Sequence, residues 1–502
     1  MDGQKKMRKK IIAFAAMAAL CCWPLGVNAQ SQQQQQQQQS PPPTVPVQPI
    51  PPLAPANNSN DSGAVPTARG VSSPDAGASD NSAQAAPDTH ALSGAEYFTV
   101  GSLGKTHNIF DPSFSFSEFG DTGIQTAQGQ TQLASETIVG GSLSLAHSWN
   151  HYTFTMAYNG GATFYPTAGS QYNYSFNDLS VSQSMTWQRW KVLLRDDLQA
   201  SPQAAFGGEG MGGPGQLGLG GGGNGVLGVL VPSNVPGQTI QTGQAMRLMN
   251  TSVGELDYAF TRRTSITFSG SYGLLHFIDP GYVDSRQLYG QVGLNYLMDS
   301  KNSIGLMAGY GLSTFPGTNQ KSETENVQVS YGRKVTGRLA LQLSAGPQRN
   351  RLYNFVGNAG PQWGWTLQSS LTYARPRTSY TLSYGHMISS GSGVFYASTT
   401  DTVSASMRHQ LTRDWGATLN SGYSKSENLV PSATAANSFN TWYAGANLGR
   451  PLGRHVTFGL SYGAFGQTNA AGVCPVANCG IAAVRHNFGV NLAWHLGRIE
   501  FE

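Results

Sequence analysis

Four charged residues carry the clearest chemistry in this sequence. Lys191 and Arg195 are four positions apart, and Glu255 and Asp257 are two positions apart. Successive side chains of a strand point to opposite faces, so all four project to one side if their segments are neighbouring strands. Charges of opposite sign that face each other at a narrow point would create a transverse electric field, which selects solutes by charge. If the charges instead pair between adjacent strands, they simply neutralise each other. Both interpretations stay open, and these four residues are the candidate pore-lining site.

Histidines are the other candidates for chemistry. A hydrolase would need a histidine base beside a carboxylate and a nucleophile. The nearest candidates are His386, His409 and His455, which fall on different predicted strands with no carboxylate at a fixed spacing. We interpret them as interfacial or interior histidines, and we predict neither catalysis nor a cofactor.

The cysteines indicate export to an oxidising compartment. Of the four in the chain, Cys21 and Cys22 lie in the N-terminal leader, whereas Cys474 and Cys479 bracket a short segment near the C-terminus. Closely spaced cysteines in an exported protein favour a small loop disulfide. A metal ion would need further ligands, which the neighbouring sequence does not supply. We therefore predict a Cys474–Cys479 disulfide and no metal site.

The N-terminal part of the chain is predicted to be processed and then disordered. A basic run, an apolar stretch at 11–20 and a small-residue site at 27–29 follow the order of a secretory signal peptide. An unbroken glutamine tract at 32–39 and several proline runs follow, and such a segment buries too little apolar surface to offset its ordering entropy. The predicted organisation is a signal peptide at 1–29, a disordered periplasmic linker at 30–90 that offers a site for a periplasmic partner, a lead-in at 91–107 and a barrel at 108–502.

The composition argues against a soluble or nucleic-acid-binding protein. The first 29 residues hold five of the 30 basic and one of the 26 acidic side chains, which leaves 25 of each in the remainder. A formal net charge of zero gives no basis for predicting nucleic-acid binding. Only 11% of residues are charged while 62 are glycine, a poor composition for a hydrated outer surface. Lipid is therefore expected to cover much of this protein.

Alternation of apolar and polar residues recurs at strand length after about residue 108, most clearly at 339–344, 456–462 and 488–494. Eight short turns join sixteen strands in pairs, and longer polar or glycine-rich segments connect the pairs. One strand before them, 110–119, and one after, 485–496, would bring both termini to the short-turn side. The prediction is about eighteen strands, an even number, with sixteen as the alternative. The short turns are centred near 150, 188, 262, 300, 337, 376, 413 and 452.

Aromatic residues fall at two heights along these strands. On strands that follow a short turn, a tyrosine recurs about seven residues after the turn, whereas on strands that precede one, an aromatic residue lies just before it. Amphipathic rings favour the two interfaces of a membrane, so the two rows predict two aromatic girdles. The predicted girdle residues are Tyr158, Trp187, Tyr272, Tyr296, Tyr310, Tyr331, Tyr373, Tyr384, Tyr423, Tyr462 and Trp494.

The leader, paired alternating strands, girdles and aromatic-rich final strand resemble the outer-membrane porin and porin-like barrel families over residues 105–502. The resemblance implies an all-β, transmembrane, antiparallel up-and-down barrel in the bacterial outer membrane. It also implies contact with outer-membrane lipid and with the barrel assembly machinery. One departure is that Glu502 follows Phe501, because members of these families usually end on an aromatic residue.

The predicted interior indicates a passive channel. Inward positions are mainly neutral and polar, and the interior of an eighteen-strand barrel is too wide for its own side chains to fill. We predict diffusion of small polar solutes, with a non-conducting structural or assembly barrel, such as one serving surface-polymer export, as the alternative. Between the fifth and sixth strands, 12 of the 19 residues in 207–225 are glycine. By position this segment resembles the constriction loop of general porins, and a flexible external loop is the other interpretation.

Overall fold

The computed structural model describes the strands and most of the short turns of one domain. The predicted signal peptide, nearly all of the predicted linker and lead-in, the glycine-rich segment 207–225 and both Cys474 and Cys479 lie outside the described residues. The described ranges are 86–87, 98–99, 108–125, 131–169, 173–187, 189–201, 246–261, 263–279, 282–299, 301–336, 338–355, 360–375, 377–390, 395–412, 414–430, 438–453, 455–469, 483–496 and 499–501.

The domain consists of antiparallel strands, and none of the described residues forms a helix long and apolar enough to cross a membrane. Ahead of it, the two-residue segments Ala86–Pro87 and Phe98–Thr99 pair with each other. The strands of the domain are β1 (Asn108–Gln125), β2 (Thr131–Trp149), β3 (Tyr152–Phe164), β4 (Tyr174–Thr186), β5 (Trp190–Ser201), β6 (Arg247–Ala259), β7 (Thr264–Phe277), β8 (Ser285–Leu297), β9 (Asn302–Thr314), β10 (Lys321–Lys334), β11 (Leu339–Tyr353), β12 (Gln362–Arg375), β13 (Thr378–Ser390), β14 (Ala397–Gln410), β15 (Gly416–Asn428), β16 (Ser438–Leu452), β17 (Val456–Asn469), β18 (Ala483–His495) and β19 (Ile499–Phe501).

The strands form a closed ring in which each pairs with its neighbours in sequence. Eighteen long strands make up the ring, which confirms the predicted number and rules out sixteen. Strand β18 closes it by pairing with β1, from Asn487 opposite Asp121 to His495 opposite Ser113. The short β19 continues this seam, with Phe501 opposite Asn108. Closure leaves no unpaired strand edge, which is the condition for a sheet to sit in lipid.

The sequence alternation determines the two faces of the sheet. In β8, Ser285, Gln287 and Asn295 are buried on the inward face. The intervening outward positions include Leu288, 58% exposed, and Leu294, 50% exposed. The apolar outward run of β8 therefore extends over residues 288–298, which matches the 9 to 11 residues that a tilted strand needs to cross a bilayer.

The eight predicted short turns all connect consecutive strands at one end of the barrel. Four of these turns contain the same hydrogen-bond motif. In it, the first polar side chain of the turn accepts hydrogen bonds from the backbone N–H groups two and three positions later. Asp299 does so with Lys301 and Asn302, at 2.6 and 2.9 Å. A hydrogen bond from the Asn302 side chain, followed by those from the backbone, lowers the pKa of Asp299. The equivalent residues of the other three turns are Thr261, Thr336 and Thr412.

We expect Thr336→Ala to lower the free energy of unfolding by about 1 kcal/mol, because Thr336 Oγ1 accepts bonds from the N–H groups of Arg338 and Leu339 at 3.2 and 3.0 Å. Thr336→Asp should retain most of the stability, since Asp299 fills the same role in its own turn. Urea titration in vesicles measures both. A Thr336→Asp variant as unstable as Thr336→Ala would contradict this account of the turns.

Candidate functional site

The inward face of the ring, called here the inner wall, consists mainly of neutral polar side chains. The inward positions alternate with outward positions on every strand, as the burial of Thr366, Asn491 and Ser330 shows. The neutral side chains predicted from sequence to face inward all fall on this face, by strand parity. They are Gln291, Asn295, Gln328, Ser330, Thr366, Gln368, Ser370, Thr457, Ser461, Asn487 and Asn491.

The four predicted pore-lining residues lie together on the inner wall, on neighbouring strands β5 and β6. Lys191 is directly opposite Asp257 in the β5–β6 register, and Leu193 is opposite Glu255. Glu255 and Asp257 are each 4% exposed. Asp257 also accepts a hydrogen bond from Thr267 of β7. The register therefore brings one of the predicted cations against one of the predicted carboxylates.

The fourth residue, Arg195, has a partner that the sequence interpretation missed. Its guanidinium forms a two-point ion pair with Asp197 on the same strand, with Nε to Oδ2 at 2.8 Å and Nη2 to Oδ1 at 3.2 Å. Both side chains are mostly buried, which strengthens the attraction between them. Asp197 lies two positions beyond Arg195, so the same period-2 rule that placed Arg195 inward could have found it.

Further inward charges cluster on the first third of the ring. Among the described side chains, the inner wall of β1–β6 carries seven carboxylates and three cations. Among the side chains that the structure describes, the inner wall of β7–β18 carries two cations, Lys334 and Arg408, and no carboxylate; the side chain of Arg485 lies outside them. The wall is therefore divided by charge, in a way that appears only when all strands are placed in the ring. The β1–β6 carboxylates are Asp111, Asp121, Glu136, Asp178, Asp197, Glu255 and Asp257, and the cations are Lys191, Arg195 and Arg247.

The outward face is an apolar band bounded by aromatic residues. Large apolar side chains such as Leu306, Val329 and Leu492 are 53, 51 and 45% exposed there. All the predicted girdle residues have outward parity, with Trp187 in the turn after β4. The long-loop row comprises Tyr158, Tyr272, Tyr310, Tyr384, Tyr423 and Tyr462, and the short-turn row comprises Trp187, Tyr296, Tyr331, Tyr373 and Trp494.

Four tyrosines of the long-loop row share one hydrogen-bond geometry. Each phenol bonds to a polar side chain on the next strand in sequence, two positions closer to the long loops than its direct register partner. Such a bond satisfies the hydroxyl where the apolar band ends. Sequence reasoning found the tyrosines and missed these partners. The pairs are Tyr158–Asn177 at 2.8 Å, Tyr384–Asp401 at 2.9 Å, Tyr423–Asn440 at 3.0 Å and Tyr462–His486 at 2.9 Å.

A closed ring of eighteen antiparallel strands, apolar outside, polar inside and bordered by two aromatic rows, decides the architecture. This is an antiparallel up-and-down β-barrel. The barrel differs from a soluble sandwich in that its large apolar side chains face away from the ring rather than into a shared core.

Comparisons with solved structures found similar barrels at low identity. The Pseudomonas aeruginosa protein OccK2 (OpdF) has a TM-score of 0.39 and 9% identity, over 78% of this chain and 98% of that chain. A BenF-like porin from Pseudomonas fluorescens Pf-5 has a TM-score of 0.38 and 9% identity, over 78% and 99%. The siderophore receptor PirA from Acinetobacter baumannii has a TM-score of 0.38 and 8% identity, over 78% and 81%. No protein-family model and no curated protein matches this sequence.

The three candidate histidines of the barrel lie apart. His386 on β13 contacts Asp401 through Nδ1 at 2.7 Å and stacks on Trp365. Strand β14 thus places Asp401 beside His386, a contact that sequence spacing did not indicate. His409 shares a hydrogen bond with Thr378 at 2.7 Å near the short turns, and His455 Nδ1 lies 3.1 Å from the carbonyl oxygen of His495. None of these contacts joins a base, a carboxylate and a nucleophile.

The long-loop end also carries a small aromatic cluster and a cavity. Phe315, Phe355 and Tyr396 pack edge to face at 4.9 to 6.4 Å between ring centroids. Beside them lies a cavity of about 270 Å³, which Tyr282 and Asp284 also line. Within the described ranges, no group of three or more His, Cys, Asp or Glu side chains is placed to hold a metal ion.

Proposed function

We propose that this chain is a bacterial outer-membrane channel through which small polar solutes diffuse passively. The observation that carries the proposal is the neutral, polar inner wall of a closed eighteen-strand ring. Side chains such as Gln328, Thr366 and Asn491 offer hydrogen bonds without strong charge. Such a polar wall suits the passage of hydrated solutes. It would serve no purpose in a barrel whose interior is closed to water.

The apolar outward band supports placement in a membrane. Residues such as Leu288 and Leu294 would expose a large continuous apolar surface in water, which soluble monomers rarely do. The aromatic rows at both ends of the band match the two interfaces of a bilayer. Export through a cleaved signal peptide at 1–29 would deliver the chain to the outer membrane.

Conductance of the purified chain in planar lipid bilayers tests the proposal. We expect open, ohmic current steps in KCl at low voltage. Persistent closure under these conditions would contradict a diffusion channel and favour a structural or assembly barrel.

Deletion of 30–87 provides a second arm of the same measurement. If that segment serves only as a tether, or as a site for a periplasmic partner, the step size should not change. A changed step size would show instead that the segment takes part in conduction. The two interpretations of 207–225, a constriction loop and a flexible external loop, are tested in the same way, because removal of the segment should enlarge the steps only if it enters the barrel.

A further inference from the structure

We propose that this channel prefers small cationic solutes, an inference that rests on the proposed channel function. It is carried by the uneven distribution of charge on the inner wall. On β1–β6 the seven described carboxylates outnumber the three described cations, which gives this part of the wall a formal charge of −4. The described wall of the other twelve strands has two cations, so the described wall as a whole remains negative at −2.

Carboxylates lie on three consecutive strands of this wall. Asp178 is on β4, one strand from Asp197 on β5, and Asp197 is one strand from Glu255 and Asp257 on β6. On this part of the wall Arg195 pairs with Asp197 and Lys191 stands opposite Asp257, and the formal charge of −4 already counts both of these cations. A low-dielectric wall of one predominant sign raises the local concentration of counter-ions.

Arg408 lies on the opposite side of the ring. Strand β14 is nine strands away from β5 in a ring of eighteen, which is half of the circumference. Arg408 is two residues from the short-turn end of β14, as Asp257 is on β6, so both lie near the same end of the barrel. Arg408 is exposed, and none of the ion pairs among described residues involves it.

The distance between Arg408 and the acidic wall determines how strongly their charges interact. Strands about 4.8 Å apart and tilted by about 40° place opposite walls of such a ring roughly 35 Å apart. The Debye length is only about 8 Å at physiological ionic strength. Across an open barrel, Arg408 therefore does not cancel the acidic wall, and cations collect along β4–β6. At about 0.01 M salt the Debye length reaches about 30 Å, so the preference should increase as salt is lowered.

The reversal potential in a KCl gradient tests the inference in planar bilayers. We expect the wild-type channel to favour K⁺ over Cl⁻ by about twofold or more, and more strongly at low salt. Glu255→Gln and Asp178→Asn should each move the ratio toward one. Arg408→Gln should move it the other way, and this exposed side chain takes part in no ion pair with another described residue.

Asp196→Asn is the matched control, because Asp196 is a carboxylate on the outward face of β5, where Ser252 and Asn250 bind it. It removes the same charge one position away from Asp197 and should leave the ratio unchanged. A wild-type ratio at or below one, or equal shifts for Asp196→Asn and Glu255→Gln, would overturn the cation preference while leaving a channel. Absence of any current would overturn the channel function itself, and the preference with it.

Discussion

Leu306→Arg is expected to destabilise the barrel in a bilayer by about 2 to 4 kcal/mol, the effect of a cation on a barrel's outward face at mid-depth. Leu306 is 53% exposed and lies between Leu294 and Val329, which are equally exposed. Tyr296 of the short-turn row lies opposite Ile304, two positions before Leu306 on the same strand. Tyr310 of the long-loop row lies four positions after Leu306. An arginine there would have to reach an interface across the apolar band. Urea titration of the folded fraction in phosphatidylcholine vesicles measures the loss.

Leu452→Arg is the control for depth. Leu452 is 48% exposed, similar to Leu306, but it is the last residue of β16 and adjoins a short turn. The same substitution should cost only about 0 to 1 kcal/mol there, because the arginine reaches water and lipid headgroups directly. Equal losses at the two positions would mean that the outward band does not meet hydrocarbon, and the membrane assignment would then fail.

Gly346→Ala is expected to be among the most damaging substitutions in the chain, although it adds a single methyl group. A Cβ at this position would overlap the carbonyl oxygen of Val327 and lie 2.8 Å from the Cα of Gln328. These are backbone atoms of the neighbouring strand β10, so no side chain can rotate away. Strands β10 and β11 would have to separate here, and we expect a loss of more than about 3 kcal/mol or failure to fold.

Gly290→Ala distinguishes this steric effect from the general cost of replacing a strand glycine. No atom lies within 4 Å of a Cβ built on Gly290, so the substitution should be neutral or slightly stabilising. The yield of folded barrel and its urea midpoint in vesicles are measured for both variants. A Gly346→Ala barrel with wild-type stability would show that β10 and β11 do not approach this closely.

Much of the fold follows from local sequence pattern. Alternation with period two assigned residues such as Leu460 and Thr457 to opposite faces. Short turns predicted from sequence, such as 336–338, lie between consecutive strands in the structure. The first and last strands came out longer than predicted, at Asn108–Gln125 and Ala483–His495. Their ends lack alternation, and pairing with a neighbour extends them beyond the pattern.

The charged site was only half accessible from sequence. Lys191, Arg195, Glu255 and Asp257 were identified because each strand holds its members at even spacing. Asp197 has the same even spacing from Arg195 and could have been found in the same way. Arg408 is a single charge on the otherwise neutral inward face of its strand, and its position across from the acidic wall is known only once the ring is closed.

The sequence alone determined which side chains face outward and which face the interior, because that choice depends only on the two-residue period of a strand. Tertiary structure alone decided which side chains meet, as in the pairing of Tyr384 and His386 with Asp401. Such contacts depend on the register between strands and on closure of the ring, and both are set by hydrogen bonds between residues far apart in the chain.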